Sequence, residues 1–158
     1  MKQTHFSLRH VATRDGCKLH LAYADGFEAV VDLADVIERH PTLQRLRARR
    51  VFQRAALDEW KLGVVFDADD QLSLPSDTLR AIAVEQAGGF SHQQIITWMA
   101  RHRMSLDAAA DALGISRRML AYYRSGQKPV PRSIGLAMIG WEVVDVRGVQ
   151  DALQYNAA

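Results

Sequence analysis

One cysteine, four prolines and no long apolar run narrow the possibilities for this 158-residue chain before any motif is read. A lone Cys17 cannot form an internal disulfide, and without a second cysteine beside the scattered histidines a structural zinc site lacks its ligands. Cys17 reads as an inert strand residue. The apolar runs are a few residues long, far short of the ~20 needed to cross a bilayer, and the opening MKQTHFSLRH lacks the apolar core of a signal peptide. The expected location is the cytoplasm, with no membrane partner. Neither a G-x-S-x-G, a phosphate-binding loop nor a dinucleotide-binding glycine pattern is present. Asp67, Asp69 and Asp70 crowd one turn, yet no central glycine or terminal glutamate follows to complete a calcium loop. His5, His10, His20 and His40 have no metal-ligand spacing, and strand alternation puts His10 and His20 on the surface. The expectation is a protein that is not an enzyme, with no metal and no cofactor.

What is present is the composition of a globular protein, 48% hydrophobic and 24% charged, in a length that holds one ordinary domain or two small ones. The net charge of +2 is too small to announce nucleic acid by itself. Its distribution is more informative. Residues 1–87 carry 12 basic and 13 acidic side chains, whereas 88–158 carry 8 and 5. Between Arg101 and Arg132 lie seven basic residues and only two acids, Asp107 and Asp111. A second basic stretch, Arg45 to Arg54, holds five arginines and no acid; it is either a solvated face or a contact for phosphate or an acidic partner.

Two textures divide the chain. In the first, SLRHVAT, CKLHLAY and FEAVVDL are separated by Asp15-Gly16 and Asp25-Gly26, pairs that tolerate the positive φ of tight hairpin turns, so an antiparallel three-stranded meander is expected. ADVIERHPTLQRLRARR reads as one or two short helices broken near His40-Pro41, and FQRAAL, LGVVF and QLSL as further short strands. Ser76-Asp77 offers an N-cap for a helix through about Gln86, ended by Gly88-Gly89. Beyond that glycine pair the pattern is helical. Ser91 and Gln94 form a capping box, with Ile95, Met99 and His102 on one face. Ser105 caps LDAAADAL, Ser116 caps RRMLAYYR, and Pro131 opens a last helix through roughly Val146, in which Gly135 and Gly140 suggest close packing. The fold class expected is α+β, a small antiparallel β-meander domain with short helices (1–87) followed by an all-α domain (90–150).

The stretch ADALGISRRMLAYYRSGQKPVP carries the functional signal. Two helices that cross closely through a short turn need a small residue at the crossing (Ala110), a residue at ease with positive φ (Gly114), an apolar plug (Ile115) and a cap (Ser116). Leu120 and Tyr123 then face inward, leaving Arg117, Arg118, Ala121 and Tyr122 outward. Two arginines in a first helical turn oppose the helix dipole, and reading a negatively charged groove gives them a reason to be there.

Residues 104–139 resemble the helix-turn-helix of the Xre/lambda-repressor family, through Ala110, Gly114, Ile115 and Ser116, the ending Tyr123-x-x-Gly126, and the basic, proline-containing loop Gln127 to Pro131. The resemblance implies double-stranded DNA as partner, with Ser116, Arg117, Arg118, Ala121 and Tyr122 on the base side and Arg124, Gln127 and Lys128 on the phosphate side. Leu106 stands where that family usually has Gln, and Arg124 where it usually has Glu. The competing reading is a helical unit used for packing alone. The first half more loosely resembles a small bacterial domain of unknown function built on strand–DG–strand–VDL, here Asp25-Gly26 and Val31-Asp32-Leu33. The helix-turn-helix resemblance implies a bacterial transcriptional regulator; one recognition helix contacts only a few base pairs, so a homodimer is expected, in which the first domain senses, dimerises or binds a protein partner. The alternative is an antitoxin-type or adaptor protein acting through the first domain. Trp141, Val143, Val144, Val146, Val149 and Leu153 either supply a dimer interface or complete the core.

Overall fold

A computed structural model describes residues 4–152, with the side chains of 149–152 left aside. The chain is mixed α and β and divides into two compact units, Met1–Gly88 and Gly89–Ala158.

In the first unit, β1 (Leu8–Arg14), β2 (Lys18–Tyr23) and β3 (Glu28–Asp32) form an antiparallel sheet in that order. Alternation along β2 sends Leu19, Leu21 and Tyr23 into the core and leaves Lys18 outside. Gly16 (φ 76°) and Gly26 (φ 92°) take the left-handed conformations that the two turns require. Cys17 lies in the first turn rather than in a strand, because the pairing of β1 with β2 ends at Arg14 and Lys18. His10 is exposed, whereas His20 is half-buried, its Nε2 2.5 Å from Glu28.

Helix α1 (Ala34–Arg39), a 3₁₀ segment (Pro41–Arg47) and α2 (Arg49–Phe52) follow, broken at His40-Pro41. They bury Ile37, Leu43, Leu46, Val51 and Phe52, so the intervening arginines face water. A second antiparallel sheet, β4 (Ala55–Leu57), β5 (Gly63–Phe66) and β6 (Asp69–Pro75), adds Val64, Phe66, Leu72 and Leu74 to the same core. Arg45 reaches Asp69 (2.6 Å) at the start of β6 and Arg54 reaches Asp67 (2.7 Å) in the β5–β6 turn, so this hairpin neutralises two arginines of the basic stretch.

Helix α3 (Ser76–Gln86) closes the unit. Pro75, not Ser76, occupies its N-cap position. Ser76 is buried, and its carbonyl accepts a 2.7 Å hydrogen bond from the Tyr23 hydroxyl. At the other end the Gln86 amide exchanges two hydrogen bonds with the Asp32 backbone. Arg80 of α3 reaches across to the β2–β3 turn: it pairs with Asp25 at 2.9 Å and lies over the Phe27 ring at 4.3 Å.

The second unit contains α4 (His92–Arg101), α5 (Leu106–Leu113), α6 (Arg117–Arg124) and α7 (Arg132–Ala152). Ser91 and Gln94 make the expected capping box. Its core is Ile95, Trp98, Met99, Ala109, Ala110, Leu120, Ile134 and Met138. Pro131 precedes α7, its carbonyl accepting from the N–H groups of Ile134 and Gly135. Gly135 sits directly under the Phe90 ring, where a Cβ would collide with it. Gly140 has open space around it, so close packing explains one glycine and not the other. Gly148 (φ 78°, ψ 157°) breaks the helical backbone of α7.

Candidate nucleic-acid interface

Helices α5 and α6 are joined by three residues, Gly114 to Ser116. Ser105 caps α5 by accepting from the Ala108 N–H, and Gly114 ends it at φ 68°. The Ile115 N–H bonds back to the Ala110 carbonyl at 3.1 Å, which satisfies the last turn of α5 and turns the chain sharply. Ala110 is buried at 2% exposure, so the small residue lies where the helices meet. Ile115 packs on the same core, and Ser116 caps α6 by accepting from the Met119 N–H. Leu120 is fully buried and Tyr123 packs beside it.

The outward side of α6 is built from four basic groups and a tyrosine. Arg117, Arg118, Arg124, Gln127 and Lys128 are exposed. Ala121 and Tyr122 are half-buried rather than fully outward, and the loop after α6 folds back over Tyr122. The Lys128 N–H bonds to the Tyr122 carbonyl at 3.2 Å and its ammonium lies 4.9 Å from the centre of the Tyr122 ring. From the other side Arg118 Nε donates to the Tyr122 hydroxyl at 3.0 Å, with its guanidinium 5.6 Å from the ring centre. Tyr122 thus holds a helix cation and a loop cation together. Helical spacing makes the Arg118–Tyr122 contact readable, but the Lys128 contact depends on the turn at Gly126 (φ 74°).

Arg117 is held differently. Its Nη1 lies 3.2 Å from Asp107, a residue the sequence reading did not single out, and both side chains are two-thirds exposed. Such a pair is worth roughly 0–1 kcal/mol and is readily exchanged for another anion. Leu106 packs on the core, so the start of α5 offers Asp107 toward α6 instead. Ser116 Oγ accepts in the cap and its carbonyl accepts from the Leu120 N–H, which leaves its O–H donor and one lone pair for any other partner.

Among the described residues no group of three or more His, Cys, Asp or Glu side chains could hold a metal, and no helix is long and apolar enough to cross a membrane.

The chain is similar to a protein of known structure, NE0471 of Nitrosomonas europaea, provisionally described as a DNA binding protein. The two share 36% sequence identity over 92% of each chain, with a TM-score of 0.78. The chain belongs to the NE0471 family. The coverage takes in both units, so membership of that family extends beyond the helical unit alone. No protein-family model matches the chain, and no curated protein sequence does.

Proposed function

We propose that this protein binds double-stranded DNA in a sequence-specific manner and serves as a bacterial transcriptional regulator in the cytoplasm. Residues 90–150 act as a lambda-repressor-like helix-turn-helix domain in which α6 enters the major groove, and residues 1–87 form the domain that senses or pairs. The observation that carries the reading is the cationic surface of α6 and its loop: Arg118 and Lys128 gathered on Tyr122, beside exposed Arg117 and Arg124. The description of NE0471 supports it. No reaction, metal or cofactor enters the proposal.

One helix reads only a few base pairs, so a homodimer on two half-sites about one helical turn apart is part of the proposal. Arg118 is assigned to a guanine edge, where a bidentate pair discriminates by about 1–3 kcal/mol, and Lys128 to a phosphate. Arg117 must first leave Asp107. Binding of wild type, Arg118→Ala and Lys128→Ala to a site selected from random duplexes and to scrambled DNA, across a salt series, tests the assignment. Arg118→Ala should lose the difference between the two DNAs, whereas Lys128→Ala should weaken both alike and lower the salt slope by about one ion. If both variants match wild type on both DNAs, the reading fails.

A protein partner for the first unit is the second reading, favoured by Trp60, which is 70% exposed beside half-exposed Leu62 in the β4–β5 turn.

A further inference from the structure

The basic stretch of the first unit divides in space. Arg45 and Arg54 are absorbed by the aspartates of the β5–β6 hairpin. Arg47 and Arg49 turn the other way, toward the β1–β2 turn, and with Arg14 they line a cleft of about 710 Å³. Its floor lies over the almost wholly buried, apolar Leu46 and Phe52, with half-buried Cys17 on one wall.

The charge in this cleft is largely uncompensated. Asp15 is the one carboxylate on its lining; it lies 4.0 Å from Arg49, at the outer limit of an ion pair, and is fully exposed. Among the described residues no carboxylate lies within ion-pairing distance of Arg14 or Arg47; Arg14 spends a donor on the neighbouring Thr13 carbonyl at 3.2 Å. Three guanidiniums around an apolar floor keep most of their donors for an anion, and a planar fork suits carboxylate or phosphate oxygens. The volume lies within the range of about 300–1,000 Å³ typical of small-ligand sites.

We propose that this cleft binds a small organic anion, a carboxylate or phosphate ester carrying a short apolar body. The anionic head meets Arg14, Arg47 and Arg49, and the apolar part lies against half-buried Cys17, above the buried Leu46 and Phe52. Concavity and an apolar floor favour such a ligand over the phosphates of a duplex, which present a convex, wholly polar surface. The proposal stands independently of the reading of α6.

Titration calorimetry on the full chain, with phenyl phosphate, benzoate and inorganic phosphate as probes, tests it. Cys17, the sole cysteine, supplies a second readout, its alkylation by neutral iodoacetamide followed by intact mass. Phenyl phosphate or benzoate should bind saturably and more tightly than inorganic phosphate. Whichever of the two binds more tightly identifies the head group. At ten times its Kd, alkylation should slow about tenfold, because protection follows occupancy. The double variant Arg47→Gln/Arg49→Gln should lose binding and protection, while Arg50→Gln, in the same stretch but outside the cleft, should retain both. Thermal melts verify that the exposed substitutions leave the fold intact. Absence of saturable binding, equal loss in Arg50→Gln, or protection of Cys17 by a short duplex but not by phenyl phosphate or benzoate would overturn the proposal.

Discussion

Asp25 and Glu142 ionise more readily than ordinary carboxyl groups, for different reasons. Burial of Asp25 beside β2 acts to raise its pKa, but the hydrogen bond and charge of Arg80 and the Phe27 N–H outweigh burial and hold it below the usual 3.8. The hydrogen bond with His102, aided by the charge of Arg101, lowers Glu142 below the usual 4.5 despite the cost of desolvation. A folded-state pKa below the unfolded value gives stability that is complete above the unfolded value and lost as pH falls through the folded one. The acid limb of stability should therefore begin under pH 4.5 for Glu142 and under 3.8 for Asp25. Urea unfolding at neutral pH and near pH 3 should show wild type losing more on acidification than Asp25→Asn, which has no proton to gain there. Equal losses would remove Asp25 from the acid response. Neither carboxylate was visible as special in the sequence, because the Arg80 and His102 partners come from elements 55 and 40 residues away.

Helix ends and tight turns were legible wherever the residue itself announces the conformation. Gly114, Gly16 and Gly26 all adopt the positive φ that their type suggests. Lys61 (φ 58°), Ala68 and Arg103 are exceptions whose side chains give no such signal, and Asp67 is an aspartate with no glycine after it. Asp67 (φ 54°) and Ala68 (φ 53°) form the two-residue β5–β6 turn, and Arg103 (φ 52°) ends α4, where the Met104 N–H reaches back to Met99 as Ile115 does to Ala110. Ser76 misled for the opposite reason: a good capping residue is already the first residue of the helix, which begins from Pro75 without any side-chain cap. The paired ends of α4 and α5 predict opposite outcomes. Gly114→Ala should destabilise by about 1–2 kcal/mol, the cost of a Cβ in the left-handed region. Arg103→Gly should stabilise by about 0.5–1 kcal/mol, since relief of the same strain exceeds the added freedom of the unfolded chain. Thermal unfolding of the two variants checks both signs; changes in the same direction would contradict the shared geometry.

At the scale of the whole molecule, the proposed homodimer turns on the last helix. Trp141 packs edge-on against Trp98 at 5.5 Å between ring centres, so it belongs to the core of its own unit. Leu136, Ile139, Val143 and Val146 remain exposed, Val146 at 83%. Their spacing of three, four and three residues lays them along one side of α7, as in the seam of a two-helix contact. Val149 and Leu153 fall outside the described side chains. The sequence could not separate interface from core here, because both demand the same apolar residues and only the position of Trp98 decides which face is used. A homodimer through this seam predicts that Ile139→Asp with Val143→Asp gives a monomer by light scattering while circular dichroism is unchanged. Affinity for a two-half-site duplex should then fall at least about 100-fold, from loss of effective concentration. A wild-type chain that stays monomeric at micromolar concentration with and without DNA would refute it.

The side chains that hold α6 in place and those that face away from it are separate sets. Ser116, Leu120 and Tyr123 fix the helix, whereas Arg117, Arg118 and Arg124 contribute nothing to the buried core. The outward set is therefore free to drift: descendants of this chain can exchange those three positions without refolding the scaffold and, under the proposed DNA-reading role, would so acquire new target sites. Divergence within the lineage should concentrate there while the cap and the buried leucine stay fixed.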